Sequence, residues 1–363
     1  TQRENLFNQT DVVFKFATGE IAHQVVTGLE LGTQDTKNFR FNATFGGGPA
    51  TSATVSASNP KATATAFNTL NRRSESTVKV TSVYAQDQID LTPKLQAILG
   101  LRQDRFDVDF NNRVSLANID LVDTRLSPRA ALVYKPAEAV SLYASYSQTF
   151  VPRAGDQLTS LTAANSAFDP EEFVNREVGV KWDAPRGFSV TAALYKLERN
   201  NVAVTNPDDI TETILVNGQE VKGFELGISG QITSAWSVVG GYSHADSEIT
   251  RNQTATIVAG NETSQTPRHT FSLWNRYDFN DTYGAALGVI SRSEMYALDD
   301  NSVLLPGYAR LDAALYMNVS KKLKLQLNLE NLLDEEYAQS AHNSNNIMPG
   351  SPLAARATAT LSF

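Results

Sequence analysis

A period of two governs what this chain can fold into. From Lys322 to Glu330, Leu323, Leu325, Leu327 and Leu329 alternate with Lys324, Gln326 and Asn328 between the flanking Lys322 and Glu330. A helix would scatter these leucines around its axis, whereas a strand sets them on one face and the polar residues on the other. Leu311, Ala313, Leu315, Met317 and Val319 alternate in the same way with Arg310, Asp312 and Asn318. So do Phe224, Leu226 and Ile228 with Glu225 and Ser229, and Ala357, Ala359, Leu361 and Phe363 with Arg356, Thr358, Thr360 and Ser362. Such strands hide their membrane character from averages: the mean hydropathy is −0.27, yet alternation of lipid-facing and lumen-facing residues gives low values in membrane barrels too. No run approaches 18 consecutive apolar residues, so no transmembrane helix is expected. The net charge of −8 argues against nucleic acid as a partner, because phosphate contacts need a basic face. With no cysteine, disulfides and thiolate chemistry are excluded.

Connections alternate between short and long. Short turns are expected at Thr18-Gly19, Thr92-Pro93, Lys135–Glu138, Ala184–Gly187, Thr233–Ala235, Asn280-Asp281 and Ser320-Lys321. Long loops are expected near 34–74, 111–123, 149–172, 200–213, 250–264, 295–306 and 331–351. Tight periplasmic turns and long extracellular loops are the habit of outer-membrane barrels. Phe16, Tyr134, Trp182, Phe188, Trp236, Phe279, Tyr283 and Tyr316 cluster beside the short turns, with Phe363 at the end. That placement predicts an interfacial aromatic girdle.

The count is about fifteen strands, beginning roughly at 10–18 and ending at 352–363. An odd meander leaves two parallel edges, and open edges in lipid are costly. The expected fold is therefore all-β: a transmembrane antiparallel β-barrel whose residues 1–363 are the C-terminal portion of a larger one, cut in an extracellular loop. No signal peptide is visible at Thr1, which fits the same expectation.

Ordered blocks then carry a resemblance to a known family. They include Val83–Ile89, Leu91–Leu95 with Gly100-Leu101-Arg102, Leu126–Pro136, Ser141–Ser147, Phe150-Val151-Pro152 and Asp169-Pro170-Glu171. Further on come Glu177–Trp182, Gly223-Phe224-Glu225, Pro267-Arg268-His269, Leu273-Trp274, Leu305–Tyr308 with Asp312, and the most specific, Asn331–Tyr337. Together they resemble the siderophore branch of the TonB-dependent outer-membrane receptors, and Asn345–Pro352 is similar to catecholate-type members. The resemblance implies a 22-stranded barrel with a plug, of which the plug, the TonB box and about seven strands are absent here. It implies uptake of a ferric siderophore across the outer membrane with TonB-derived energy, and no enzymatic activity.

The implied partners are outer-membrane lipid including lipopolysaccharide, the ferric siderophore, TonB through the missing N-terminal region, and the barrel assembly machinery through Phe363. No resident cofactor or protein iron ligand is expected, since the siderophore holds the iron. An anionic chelate would be met by cations and aromatic rings at the extracellular mouth. The candidates are Arg153 and Arg292, then Tyr296, Arg72, Arg73 and His342. His23, His244 and His269 show no metal-ligand spacing, and the acidic pairs Asp208-Asp209 and Asp299-Asp300 read as solvated loop residues. Competing functions are a TonB-dependent receptor for haem, cobalamin or a sugar, a passive porin, and an adhesin or soluble β-sandwich.

Overall fold

The computed structural model describes residues 1–46, 52–56, 58–59, 61–155, 158, 161–162, 165–205 and 213–362. One meandering antiparallel sheet of fifteen strands forms the molecule. Its strands are β1 Gln2–Thr18, β2 Ile21–Thr44, β3 Ala66–Thr92, β4 Leu95–Asn112, β5 Ala117–Ala137, β6 Val140–Val151, β7 Glu171–Ala184 and β8 Phe188–Asn200. They continue as β9 Gln219–Gln231, β10 Trp236–Ile249, β11 His269–Asp278, β12 Tyr283–Arg292, β13 Tyr308–Asn318, β14 Leu323–Glu330 and β15 Ala354–Leu361. Each strand pairs with its sequence neighbours, and among the described residues no ladder joins β1 to β15. The wall is thus open, with two unpaired edges.

Register carries the alternation across the wall. Leu142, Val180, Ala192, Leu226, Tyr242 and Phe271 lie opposite one another in successive strands, one apolar row. Ala285, Leu315, Leu327 and Ala357 form another. Offset by one residue, Tyr143, Gly179, Ala193, Glu225, Ser243 and Thr270 make a largely polar row on the opposite face. The first face carries exposed leucines from Leu99 to Leu327 and is the hydrocarbon side; the second lines the lumen. On the lumen side Gly288 lets the Trp274 ring lie against the backbone, since a Cβ there would stand 2.1 Å from a ring carbon. One carboxylate departs from the pattern: Asp87 shares the hydrocarbon side with Val25 and Leu99. His23 Nδ1 meets it at 2.7 Å, and Phe16 stacks on the imidazole at 4.8 Å.

All seven short turns fall where expected. The long connections differ. β2 and β3 run together as far as Thr44 and Ala66, and only residues 113–116 separate β4 from β5. About half of the expected loop 34–74 and most of 111–123 are therefore strand, rising beyond the leucine belt. Their Thr, Asn and Ser content matches loops because above the hydrocarbon the outer face of a strand needs no apolar residues. β1 likewise begins at Gln2 rather than near residue 10. Short hairpins occupy the connections after β8 (Val202–Thr205 with Thr213–Val216) and after β14 (Ala338–Asn343 with Asn346–Pro349). In the girdle, Phe16, Tyr134, Trp182, Trp236 and Tyr283 are exposed beside the turns. Tyr316 is a correction: it sits opposite Gln326 on the lumen face, with the Arg276 guanidinium 4.2 Å above its ring. Phe363 and the pair Asp208-Asp209 lie outside the described residues.

The rising strands give the loop after β6 something to pack on. Val78, Val80, Val108 and Phe110, on their lumen side, bury Ala154, Leu158 and Leu161. Ser76 Oγ donates to the Leu158 carbonyl at 2.7 Å. This small core fixes the loop over the mouth of the wall.

Candidate functional site

Pro152 ends β6, and the next residue, Arg153, turns back onto the rising part of β5. Its backbone N–H and guanidinium both bind the Asp123 carboxylate, at 3.0 and 2.6 Å, and Nη1 donates to the Ser166 carbonyl. Asp123 is buried and Arg153 nearly so, which makes the pair an anchor for the loop. Two further clamps stand beside it. Arg125 pairs with Asp169, and Arg199 grips Glu171 through two hydrogen bonds of 2.8 and 2.9 Å. Arg199 also reaches Gln219 Oε1 at 3.2 Å and lies 5.9 Å over the Phe173 ring.

Arg153, Phe168, Asp169, Glu171, Phe173 and Arg199 line a pocket of about 480 Å³. That volume suits a small-molecule ligand. Chemically the pocket offers two aromatic surfaces and guanidinium edges already paired with carboxylates. It favours a large polar guest with flat faces and exchangeable hydrogen bonds over a bare anion. Arg199, Phe168 and Phe173 were not among the sequence candidates. Alternation carried through β8 sets Tyr195, Leu197 and Arg199 on the lumen side, a signal that stops only at Asn200.

Arg292 belongs to a second cluster, at the upper end of β12. Its guanidinium lies 5.0 Å over the Tyr308 ring and donates to the carbonyls of Gln339 (2.8 Å) and Ala338. Tyr308 stacks on Tyr337 at 4.1 Å, and Arg310 donates to the Tyr337 hydroxyl at 3.0 Å and to Asp312 at 2.7 Å. The buried Nε atoms of Arg292 and Arg310 have no hydrogen-bond partner. Tyr296 and His342 sit in the adjoining loops, which Met295, Ala297, Leu305 and Ala341 pack together. Arg72 and Arg73 stand apart from both clusters, opposite Arg40 and Phe39 in the rising part of β3. The loop acids act locally: Asp299 accepts the Ser264 N–H at 2.7 Å. The backbone and hydroxyl of Ser302 hold the Asp300 carboxyl below its ordinary pKa.

The Asn331–Tyr337 block organises this second cluster. Asn331 is fully buried and adopts φ of 54°, a conformation that asparagine tolerates well. Its amide donates to the carbonyls of Glu335 and Ser351, both at 2.9 Å, and its Oδ1 accepts the Glu335 N–H at 2.9 Å. Its own N–H goes to Asp312 at 2.8 Å. Gly350 packs under Tyr337, where a Cβ would stand 2.0 Å from the ring. Such a hub ties the β14–β15 connection to the lumen cluster.

A family model described as TonB dependent receptor-like, beta-barrel, matches residues 1–332. The chain belongs to that family. It is a wall of an outer-membrane β-barrel, and the family is one of receptors, not enzymes. It is 30% identical, over 95% of its length, to the probable TonB-dependent siderophore receptor PiuA of Acinetobacter baumannii. The crystal structure of that receptor matches with a TM-score of 0.85 over 98% of this chain and 55% of the other. The closed form of the ferric-catecholate import receptor Fiu from Escherichia coli K12 matches with a TM-score of 0.87 at 25% identity, over 99% of this chain and 55% of Fiu. The metal-pseudopaline receptor CntO of Pseudomonas aeruginosa is 28% identical over 80% of this chain and 42% of its own length. The chain spans about half the length of the curated relatives it matches.

Proposed function

We propose that this chain forms the C-terminal wall of a receptor that takes up a ferric siderophore, a catecholate complex for preference, with energy relayed by TonB. The observation that carries the reading is the likeness to PiuA over nearly the whole chain. The Fiu likeness favours a catecholate. The mouth pocket suits that cargo: Phe168 and Phe173 offer faces to aromatic ligand groups, and Arg199 offers donors to oxygen atoms. Iron stays inside the chelate, so the wall need only recognise its outside. The likeness to CntO favours a second reading, in which the cargo is a different metal chelate.

Uptake of radiolabelled iron tests this in cells that lack other receptors and express the intact receptor. Catecholate complexes should enter only when TonB is present, and Arg199→Gln should raise the half-saturating concentration about tenfold, the loss of one charge-assisted contact. Entry without TonB would indicate a passive porin. Transport of haem, cobalamin, a sugar or only a non-catecholate metal chelate would replace the proposed cargo.

A further inference from the structure

Four aromatic rings close a cycle on the outer face where β9, β10 and β11 meet. Register sets Phe224 opposite His244 and His244 opposite His269. Tyr242, two residues down β10, completes the group. Ring centres lie 5.4 Å apart for Phe224 and Tyr242, 5.9 Å for Phe224 and His244, and 6.1 Å for Tyr242 and His269. The two histidines close the cycle at 4.9 Å. They are far apart in the chain, and only strand register brings them together. In the same row Val178, Leu194 and Phe224 are apolar, so two adjacent imidazoles interrupt what hydrocarbon alone would fill with apolar side chains. His244 stands eight residues above Trp236 at the foot of β10, about 20 Å up an apolar band about 25 Å tall. The pair is thus at the outer edge of the band, within reach of water.

The spacing of the two imidazoles is that of rings sharing one ion. Imidazoles that each meet a tetrahedral ion through a ring nitrogen at about 2.0–2.1 Å have centres about 5 Å apart. The planes of His244 and His269 are inclined at 40°, well off a parallel stack. A second observation orients one ring: Tyr242 Oη lies 2.7 Å from His269 Nδ1. When the Nδ1–H donates to that oxygen, Nε2 keeps its lone pair and can meet a metal. Among the described residues His244 has no hydrogen-bond partner, so a nitrogen of its ring is free to do the same. Asp246, two residues farther out on β10, lies opposite Lys222 and is engaged by Arg268 at 3.3 Å. Among the described residues no three metal-ligating side chains come together, so the protein supplies two ligands.

We propose that His244 and His269 bind one divalent transition-metal ion on the outside of the wall, through one ring nitrogen each. Imidazole suits the late first-row ions, copper(II) foremost, and water fills the remaining positions. Tyr242 is a positioning residue: its hydroxyl fixes the tautomer and tilt of His269. The ladder between β10 and β11 ends at this pair, so the ion staples its last rung beneath the connection that joins the two strands. The site stands on the opposite face of the wall from the lumen and takes no part in handling whatever passes through it.

Titration of the intact receptor, free of any affinity tag, with copper(II) in a non-coordinating buffer tests it. The wild type should bind one equivalent more than His244→Phe or His269→Phe. The electron paramagnetic resonance spectrum of that equivalent should show coupling to two imidazole nitrogens, a signature that either variant loses. Phenylalanine keeps an aromatic ring at each position; heat-modifiability checks that the variants are folded, and leucine serves where phenylalanine is not tolerated. Tyr242→Phe retains both ligands and removes the hydroxyl that orients His269, so it should weaken the site about tenfold. Equal copper stoichiometry in the wild type and a folded histidine variant would overturn the proposal. So would coupling to a single nitrogen, the mark of isolated surface histidines. Unchanged affinity in Tyr242→Phe would overturn the positioning role of the hydroxyl.

Discussion

Leu327→Arg and Gln326→Arg place the same cation on adjacent residues of β14, and the fold assigns them to opposite solvents. Leu327 lies between Leu315 and Ala357 on the hydrocarbon face, whereas Gln326 donates to Asn328 Oδ1 at 2.7 Å on the lumen face. Each pair of residues along a strand tilted about 45° climbs about 5 Å. Leu327, four residues above Leu323 at the foot of β14, therefore stands about 10 Å into an apolar band about 25 Å tall. An arginine at that depth costs about 3 kcal/mol, a change of roughly 150-fold in the folded-to-unfolded ratio. Gln326→Arg loses one hydrogen bond and gains a hydrated charge, so its cost should stay within about 1 kcal/mol. Urea unfolding of the intact receptor in liposomes, followed by heat-modifiability, measures both. Equal costs for the two variants, or a larger one for Gln326→Arg, would refute the facing of β14.

Depth predicts a gradient: Leu325→Arg, one row nearer the periplasmic edge, should cost less than Leu327→Arg and more than Lys324→Leu, in the same unfolding assay. Asn331→Ala removes three side-chain hydrogen bonds and the residue that tolerates the positive φ. It should destabilise the β14–β15 connection by about 3 kcal/mol, read as faster amide exchange from Leu332 to Leu353 with the rest of the wall protected. Asp123→Ala leaves the Arg153 cation without its carboxylate in a nearly buried setting. About 3 kcal/mol should be lost locally, and protease should cut between Pro152 and Pro170 in the variant and spare the wild type.

What the chain sequence reveals depends on which solvent constrains a residue. Inside the hydrocarbon one face must be apolar, so the leucine rows of β13 and β14 and all seven tight turns were legible from alternation. Above the membrane that pressure disappears. The upper parts of β2 to β5 resemble loops in sequence because their outer face meets water, while their inner face mixes buried polar residues such as Thr36, Ser74 and Ser76 with the apolar Val78 and Phe110. Arg199 is hidden for a related reason: it is the last strand residue before the loop signal at 200, and its lumen neighbours, Glu171 and Gln219, come from other strands. Arg153 and Arg292 stand out in sequence as cations near strand tops, but their partners, Asp123 and two carbonyls 46 and 47 residues away, are visible only in three dimensions. Tyr316 sits beside a turn as a girdle residue would, yet register points it inward. The Asn331–Tyr337 block was recognisable as a pattern, and its cause, a buried asparagine joining two chain segments, needed the fold.

Single-cysteine spin labelling tests the two-faced wall most directly, since the chain contains no cysteine of its own. Labels at residues 192–195, 224–227 and 325–328 of the intact receptor in lipid bilayers would be relaxed by oxygen, which enriches in hydrocarbon, or by a water-soluble nickel chelate. A two-faced wall gives strict alternation, with oxygen dominating at Ala192, Leu194, Phe224, Leu226, Leu325 and Leu327 and nickel at the residues between them. Nickel access at both alternate sets, or a helical periodicity of oxygen access, would contradict it.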